Sequence, residues 1–343
     1  QPVYQGGCSA VQSKKIWEKQ GGGFIGKMEE FTHCSLCPRD CRADRAGGKR
    51  GACRERDKVR IARAALHMWE EPCITGRGGS GTVFFSGCTL GCVFCQNASI
   101  ARGGAGKEVS VDYLAEIFLR LQEEGAENIN LVTGDHFVPQ IVKGLQRGRD
   151  GGLCIPVVYN TSSYVKADTL RCLEGLVDIY LPDFKYYDSG RAYRYAKAKD
   201  YPLTAKEAIK EMVRQQGKPE FVGKNGEGLD SRKYNALEDG EGILMRRGTI
   251  VRHLLLPGGL EDSKKIISYL LETYGETIYI SIMNQYTPMG VFPEMPELNS
   301  RVAEEEYEAL LDFAIEKGLE NGFFQEGDTA KESFIPSFDG EGV

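Results

Sequence analysis

Residues Phe84–Asn97 read FFSGCTLGCVFCQN, and this stretch decides how the rest of the chain is interpreted. A short apolar run from Val83 leads directly into three cysteines, Cys88, Cys92 and Cys95, at the spacing C-x3-C-x2-C. Disulfide frameworks use even numbers of cysteines and structural zinc sites use four ligands, so three closely spaced thiols fit neither. Three thiolates can hold three of the four irons of a 4Fe-4S cubane, and a fourth thiolate would complete the ligand set. The stretch therefore predicts a strand followed by a cluster with one iron open to another molecule.

A second group of cysteines precedes this stretch. Cys34, Cys37, Cys41 and Cys53 are spaced C-x2-C-x3-C-x11-C, with glycines in the connecting loop. This spacing predicts a small knuckle stapled by a metal. Four thiolates suit either structural zinc or a fully ligated 4Fe-4S cluster, and the sequence does not separate the two. Free buried thiols are the remaining alternative.

Length and composition exclude several classes of protein. A chain of 343 residues is long enough for one large α/β domain with appendages. No run approaches the roughly 18 apolar residues of a membrane span, and the first residues lack the apolar stretch of a signal peptide. Eleven cysteines without a secretory signal favour a reducing compartment. We therefore expect a cytoplasmic protein with no membrane contact.

Beyond the cysteine loop, short apolar runs alternate with helical patterns. Helices are expected at 111–121 after the N-cap Ser110, and at 262–274 and 304–317. Strands separated by helices form a parallel sheet with right-handed crossovers, so we predict an α/β fold with a partial (β/α)6 barrel. The predicted strands lie near 83–85, 128–132, 156–159, 178–184, 249–256 and 278–283.

The predicted domain boundaries follow changes in composition. Residues 31–76 form the cysteine-rich knuckle and a connector, and 77–320 form the barrel. A charged, glycine-rich insertion at about 186–247 is expected to hold two helices (187–197 and 204–215) and a surface loop. Residues 321–343 form a C-terminal strap with five large apolar side chains. For residues 1–30 two interpretations are open: an N-terminal arm, or a non-native extension before a start at Met28.

Charge is distributed unevenly along the chain. Residues 39–63 carry ten Lys or Arg against four Asp or Glu, whereas residues 294–343 carry fourteen acidic and three basic residues. Such asymmetry is ordinarily solvated surface. A basic face beside a redox centre would also steer an acidic electron donor, because summed charge raises encounter rates.

Five motifs occur in one order and together resemble one family. From about Phe31 to the C-terminus the chain resembles the radical S-adenosylmethionine (SAM) proteins that are pyruvate formate-lyase activating enzyme-like, the PflX-like branch. The motifs are CSLCPRDC (34–41), FSGCTLGCVFCQN (85–97), VVYNTS (157–162), DIYLPDFKY (178–186) and VRHLLLPGG (251–259).

The resemblance implies a radical SAM partial barrel and an activity. The activity is reductive cleavage of SAM, at a 4Fe-4S cluster, to methionine and a 5′-deoxyadenosyl radical that abstracts hydrogen. The substrate is either a glycine of a glycyl-radical enzyme or a small molecule or peptide. The implied partners are a flavodoxin or ferredoxin as electron donor and a protein substrate, with no nucleic acid. The non-enzymatic alternative is an iron–sulfur carrier or a zinc-knuckle nucleic-acid binder.

The resemblance also assigns cluster and SAM contacts. Cys88, Cys92 and Cys95 resemble the cluster ligands, and Phe94 lies where an aromatic residue meets adenine. The family's Gly-Gly-Glu motif, which meets the SAM amino group, is replaced here by a Thr-Gly-Asp-His sequence. Its candidate residues are Gly134 and Asp135.

Polar residues at later strand ends complete the candidate site. Asn160 and Ser162 fall where family members contact ribose or carboxylate. Asp183 and Lys185 resemble the Asp-x-Lys pair beside SAM, where a lysine neutralises the SAM carboxylate. Arg252 is the candidate on strand five, where adjacent side chains point to opposite faces and only one of two neighbours can point inward. Gln285 is the candidate from the polar pair at the end of strand six. For each polar residue the alternative is a strand-end hydrogen bond without chemistry, and no acid–base pair or nucleophilic triad stands out.

Overall fold

A computed structural model describes residues 31–237, 242–325 and 336–343. The N-terminal arm expected at 1–30 lies outside the described residues. So do residues 238–241 of the predicted insertion and residues 326–335 of the predicted strap.

A mixed sheet with a parallel centre organises the described part of the chain. Its strand order is β11-β10-β9-β6-β5-β4-β2-β1-β3, and the short β7 and β8 lie off this path. From β2 to β11 every neighbouring pair is parallel, whereas β1 pairs antiparallel with both β2 and β3. The sheet does not close on itself, which confirms the α/β fold with an open, partial barrel. The strands are β1 (Val59–His67), β2 (Ser80–Phe85), β3 (Lys107–Val109), β4 (Asn128–Val132), β5 (Val157–Thr161), β6 (Ile179–Pro182), β7 (Glu220–Val222), β8 (Gly228–Leu229), β9 (Leu244–Leu254), β10 (Tyr279–Met283) and β11 (Gly322–Phe324).

Helices connect the parallel strands, as their crossovers require. The N-cap prediction is confirmed, because the Ser110 hydroxyl accepts a hydrogen bond from the Tyr113 amide at 3.1 Å. The described helices are α1 (Pro72–Thr75), α2 (Ala98–Ala101), α3 (Val111–Glu123), α4 (Val138–Asp150), α5 (Ala167–Arg171), α6 (Ser189–Ala196), α7 (Tyr201–Gln216), α8 (Ser231–Asn235), α9 (Leu260–Tyr274) and α10 (Glu304–Glu316). Within the described residues, none of them is both long and apolar enough to cross a membrane.

All six predicted strands are present, as β2, β4, β5, β6, β9 and β10, but other elements were missed. The predicted connector contains β1. Arginines interrupt the apolar positions of β1, so its sequence lacks the pattern that predicts a strand. The predicted strap begins as β11, a seventh parallel strand beside β10. The predicted surface loop of the insertion contains β7, β8 and α8, and β7 pairs antiparallel with the beginning of β9.

The arrangement of the parallel strands positions the site. Because β2, β4, β5, β6, β9 and β10 run in one direction, their carboxyl ends meet at one edge. The cysteine loop that follows β2 is anchored there, since Leu90 and Phe94 belong to a hydrophobic core shared with α6, α7, α9 and α10. The loop is thus held by buried apolar contacts on the edge where functional residues of such folds gather.

Candidate functional site

A cavity of about 220 Å³ lies at the carboxyl ends of these strands. Its wall brings together candidates from the cysteine loop and from the ends of β5, β6, β9 and β10. They are Cys88, Phe94, Cys92, Cys95, Asn160, Ser162, Asp183, Lys185, Arg252 and Gln285. Residues nearly two hundred positions apart in sequence therefore line one cavity.

Two of the three loop thiols accept hydrogen bonds from different donors. The hydroxyl of Tyr186 donates to the sulfur of Cys92 at 3.3 Å, and the main-chain amide of Gly91 donates to the sulfur of Cys88 at 3.5 Å. Burial raises the pKa of Cys88 to about 12 and that of Cys95 to about 11 when no metal is bound. Iron would reverse these shifts, because it binds the deprotonated sulfur.

Phe94 is fixed by three tyrosines that surround it edge-on. Its ring centroid lies 6.4 Å from that of Tyr186, 6.1 Å from that of Tyr195 and 6.0 Å from that of Tyr286. Such edge-to-face contacts orient a ring as well as bury it. Phe94 therefore offers a rigid aromatic surface to the cavity.

A charged network centred on Arg252 crosses the cavity. Its Nε pairs with Asp183 at 3.1 Å, and its Nη2 donates to the Asn160 side-chain oxygen at 2.6 Å. Asp183 also pairs with Lys185 Nζ at 2.7 Å. Burial alone would raise the pKa of Asp183, but Lys185 and Arg252 together hold it below its usual value. The carboxylate of Asp183 thus holds both cations, Lys185 and Arg252, on the cavity wall.

The alternation of side chains along β9 decides which of its adjacent residues Arg252 and His253 faces the cavity. Arg252 faces the cavity, whereas His253 is buried on the other side, bonded to the Phe184 carbonyl and the Ser263 hydroxyl at 2.7 Å each. His253 therefore has a packing role between β9 and α9, and Arg252 is the residue available to a ligand.

Glu70 is a cavity residue that sequence reasoning missed. Glu70 follows β1, whose last residue His67 pairs with Ser80 at the beginning of β2. The segment that carries Glu70 therefore approaches the cavity from the edge of the sheet opposite the carboxyl ends of the parallel strands. The Glu70 carboxylate pairs with Arg252 Nη1 at 3.1 Å and accepts a hydrogen bond from Asn130 at 2.9 Å. Burial raises its pKa, and Arg252 opposes that effect. Glu70 therefore forms the floor of the cavity.

Gly134 and Asp135 do not line this cavity. The Asp135 carboxylate accepts hydrogen bonds from the hydroxyls of Tyr159 at 2.9 Å and Thr161 at 2.8 Å. A Cβ on Gly134 would lie 2.5 Å from Ile141. Burial raises the pKa of Asp135 to about 6. The Asp135 side chain thus turns into the sheet, and the contact of these two residues with the SAM amino group stays a prediction.

Thr133 occupies the wall in their place. Its φ of +59° is in the left-handed region, which a β-branched residue rarely adopts, and its amide donates to the Asn160 carbonyl at 2.9 Å. The strained turn after β4 therefore presents Thr133, and not the following glycine and aspartate, to the cavity.

The second cysteine group is folded compactly. Cys34, Cys37 and Cys53 are buried and Cys41 is exposed. The sulfurs of Cys53 and Cys41 lie 3.2 and 3.6 Å from the position of a Cβ on Gly51. Burial raises the pKa of Cys37 to about 12, and the other three thiols add to this shift. Among the described residues, neither cysteine group is arranged around a single metal ion, so the metal at this knuckle stays a prediction.

The donor set of the cavity fits a three-thiolate cluster with a bound SAM. Three thiols share the wall with two cations and an aromatic ring. The Ser162 hydroxyl on the same wall is buried and has no hydrogen-bond partner among the described residues. Buried hydroxyls are normally satisfied, so this atom is suited to a ligand.

Residues 82–221 match the sequence model of the radical SAM superfamily. The matched segment includes the cysteine loop and the strands β4 to β6. The strands β9 and β10 and the four-cysteine knuckle lie outside the match.

Similar proteins were found among curated sequences and solved structures. An uncharacterized protein of Methanocaldococcus jannaschii is 28% identical over 298 residues, which are 84% of this chain and 76% of that protein. A radical SAM methyltransferase from Sphaerobacter thermophilus aligns over 72% of this chain and 66% of its own, with 14% identity and a TM-score of 0.41. SuiB of Streptococcus suis, bound to S-adenosylmethionine, aligns over 70% of this chain and 48% of its own, with 10% identity and a TM-score of 0.40. The chain thus spans only part of both solved proteins.

Proposed function

We propose that this protein is a radical SAM oxidoreductase whose cluster is held by Cys88, Cys92 and Cys95. One observation carries the proposal: the three loop thiols share one cavity with the cations and polar groups of four strand ends. When bound there, a 4Fe-4S cluster and SAM supply one-electron cleavage of the S–C5′ bond, and the 5′-deoxyadenosyl radical so formed takes hydrogen from a substrate.

The cavity residues are suited to hold SAM. Lys185 and Arg252 favour its carboxylate, because charge-assisted hydrogen bonds are the stronger ones. Asp183 lies between the two cations and fixes their positions. Phe94 offers a face or edge to adenine, and the hydroxyl of Ser162 is a donor or acceptor for the ribose.

The walls also protect a reactive species. Phe94 and Tyr286 are almost completely buried and line the cavity beside the cysteine loop. Exclusion of water prevents side reactions of such intermediates. These residues therefore shield the reacting atoms and need no proton-transfer role.

The cofactor assignment can be tested by electron paramagnetic resonance. The anaerobically reconstituted, reduced protein should show a 4Fe-4S signal that changes when SAM is added. The Cys95→Ala variant should lack that signal, and Cys154→Ala, which alters a cysteine at the opposite edge of the sheet, should keep it. Absence of any SAM-responsive signal in wild type, or its persistence in Cys95→Ala, would refute the assignment.

For the substrate, we propose a glycine on a partner protein. The Asp183-x-Lys185 sequence resembles the pair found beside SAM in glycyl-radical activating enzymes. Transfer of deuterium from a partner labelled at glycine into 5′-deoxyadenosine would support this role. Transfer from a small molecule or a peptide instead would favour the second candidate, direct modification of such a substrate. A glycyl-radical enzyme encoded beside this protein would favour the first.

We also propose an acidic flavodoxin or ferredoxin as the electron donor in the cytoplasm. Several cations of the basic segment are exposed around the knuckle, including Arg42, Lys49, Arg50 and Arg54. Their field would raise the encounter rate with an acidic protein and would weaken with salt. The knuckle itself is proposed to hold a second metal, either iron–sulfur or zinc.

A further inference from the structure

Arg45 is completely buried inside the cysteine knuckle (residues 31–57). Its guanidinium donates to the carbonyls of Arg56 and His136, at 3.1 and 2.9 Å, and lies 3.5 Å from the sulfur of Cys34. It also stacks 4.6 Å from the ring centroid of Phe31. Within the described ranges, no carboxylate forms an ion pair with it. A buried cation is therefore surrounded by neutral groups and by thiols.

Such an arrangement requires a negative partner. An unpaired buried charge is very costly, and buried charges are normally paired or bound to metals. Four thiolates carry four negative charges, so binding of a zinc ion or of a 4Fe-4S cluster leaves the site anionic. The sulfur of Cys34 lies within reach of the guanidinium to receive this compensation.

The knuckle is also attached directly to the cysteine loop (residues 86–97). The main-chain amide of Cys88 donates to the carbonyl of Cys53 at 3.3 Å. Arg39, between two of the knuckle cysteines, donates to the carbonyls of Thr89 at 3.0 Å and Leu90 at 2.8 Å. The loop residues between the first two cluster cysteines are thus held by the knuckle.

A glycine permits this close approach. Gly87 has a φ of +84°, and a Cβ at this position would lie 2.5 Å from the Cys53 carbonyl oxygen. At the same junction the Ser86 hydroxyl donates to the buried Glu55 carboxylate at 2.9 Å. The two cysteine groups therefore share one packed junction.

We propose that Cys34, Cys37, Cys41 and Cys53 form a tetrathiolate metal centre that is charge-balanced by Arg45 and that holds the cysteine loop in its shape. The metal fixes the chain on both sides of Arg39, and Arg39 and the Cys53 carbonyl then fix the loop. Arg45 is a positioning residue that makes the buried anionic centre tolerable. The part that concerns the loop's cluster rests on the proposed function, whereas the knuckle metal does not.

The first test is metal analysis of the anaerobically reconstituted full chain. If the knuckle holds a 4Fe-4S cluster, the Cys34→Ser/Cys37→Ser variant should lose about four of about eight irons. If the knuckle holds a zinc ion, the variant should lose about one zinc and retain about four irons. Cys154→Ser/Cys172→Ser is the matched control and should keep the wild-type content. Equal iron and zinc contents in wild type and in the Cys34/Cys37 variant would overturn the proposal.

Arg45 variants keep all the cysteines and test the charge balance. Arg45→Met should lose the knuckle metal to a chelator about tenfold faster than wild type. Arg45→Lys, which retains the charge, should fall between the two. Equal rates of loss in wild type and Arg45→Met would contradict the role of Arg45.

Hydrogen exchange tests the coupling without relying on activity. In Arg39→Gln, and in wild type stripped of the knuckle metal, amides of residues 86–96 should exchange about tenfold faster, with no change in β10. Unchanged protection in both samples would refute the scaffolding role. If SAM cleavage is absent but these results hold, the proposed function fails and the metal centre stands.

Discussion

Arg252 and Glu70 form an ion pair of 3.1 Å across the floor of the cavity, between a strand-end residue and a residue that enters from the opposite edge of the sheet. Both side chains are largely buried. Asp183 and Asn160 hold the same guanidinium from the other side. The contact therefore links the segment after β1 to the parallel strands that carry the site.

Replacement of Glu70 by glutamine should destabilise the protein. The variant keeps the acceptor for Asn130 but leaves Arg252 with one carboxylate, so we expect a loss of about 1–3 kcal/mol in the free energy of unfolding. Urea denaturation measures it. Glu108→Gln, which breaks a more exposed pair with Arg60, should cost less than about 1 kcal/mol. Equal losses in the two variants would contradict a buried, supporting pair.

Lys185→Ala should weaken SAM binding while the cluster is retained. Loss of a hydrogen bond to a charged group costs about 1.5–3 kcal/mol, or roughly 10- to 150-fold in affinity. Equilibrium binding to the reconstituted protein checks the affinity, and iron content checks the cluster. Lys264→Ala, on the surface of α9, is the control. Wild-type affinity in Lys185→Ala would reduce this lysine to a strand-end contact with Asp183.

Tyr186→Phe should lower the reduction potential of the cluster. The hydroxyl donates to the Cys92 sulfur at 3.3 Å and so stabilises the more negative, reduced form. A hydrogen bond of about 0.5–1.5 kcal/mol corresponds to roughly 20–60 mV for one electron. Tyr195→Phe removes a hydroxyl that bonds Glu297 and should leave the potential unchanged. Equal potentials in wild type and Tyr186→Phe would show that the contact does not tune the cluster.

Asp135→Asn should change how stability depends on pH. Burial raises the pKa of Asp135 to about 6 from an unfolded value near 3.8, so the folded state holds a proton that the unfolded state releases between these values. The contribution of Asp135 to stability is thus fully present below pH 3.8 and is lost as the pH rises through 6, by about 3 kcal/mol. Relative to wild type, the variant should gain stability as the pH rises from about 4 to 6. A difference that stays constant over this range would refute the shift.

Much of the fold could be predicted because the strands β4 and β10 are continuous buried runs with clear turn signals. β1 was missed because Arg60 and Arg63 interrupt its apolar positions, and only its pairing with β2 makes it a strand. Glu70 was missed as a consequence, because its place in the cavity depends on the pairing of β1 with β2 and no local sequence pattern indicates it.

The site was predictable in position more than in orientation. Strand ends of a parallel sheet meet at one edge, and so Asn160, Asp183 and Arg252 were expected together. This rule does not predict in which direction the side chains of the turn after a strand point. After β4 the left-handed conformation of Thr133 turns Asp135 into the sheet, where the hydroxyls of two β5 residues bind it.

The central claim, that the cysteine loop supports reductive cleavage of SAM, is tested most directly by product formation. Reduced wild-type protein given SAM should form 5′-deoxyadenosine and methionine, and Cys172→Ala should do the same. Cys92→Ala should form neither, because two thiolates cannot hold a cubane with one open iron. Formation of 5′-deoxyadenosine at the wild-type rate by Cys92→Ala, or none by cluster-loaded wild type, would contradict the account.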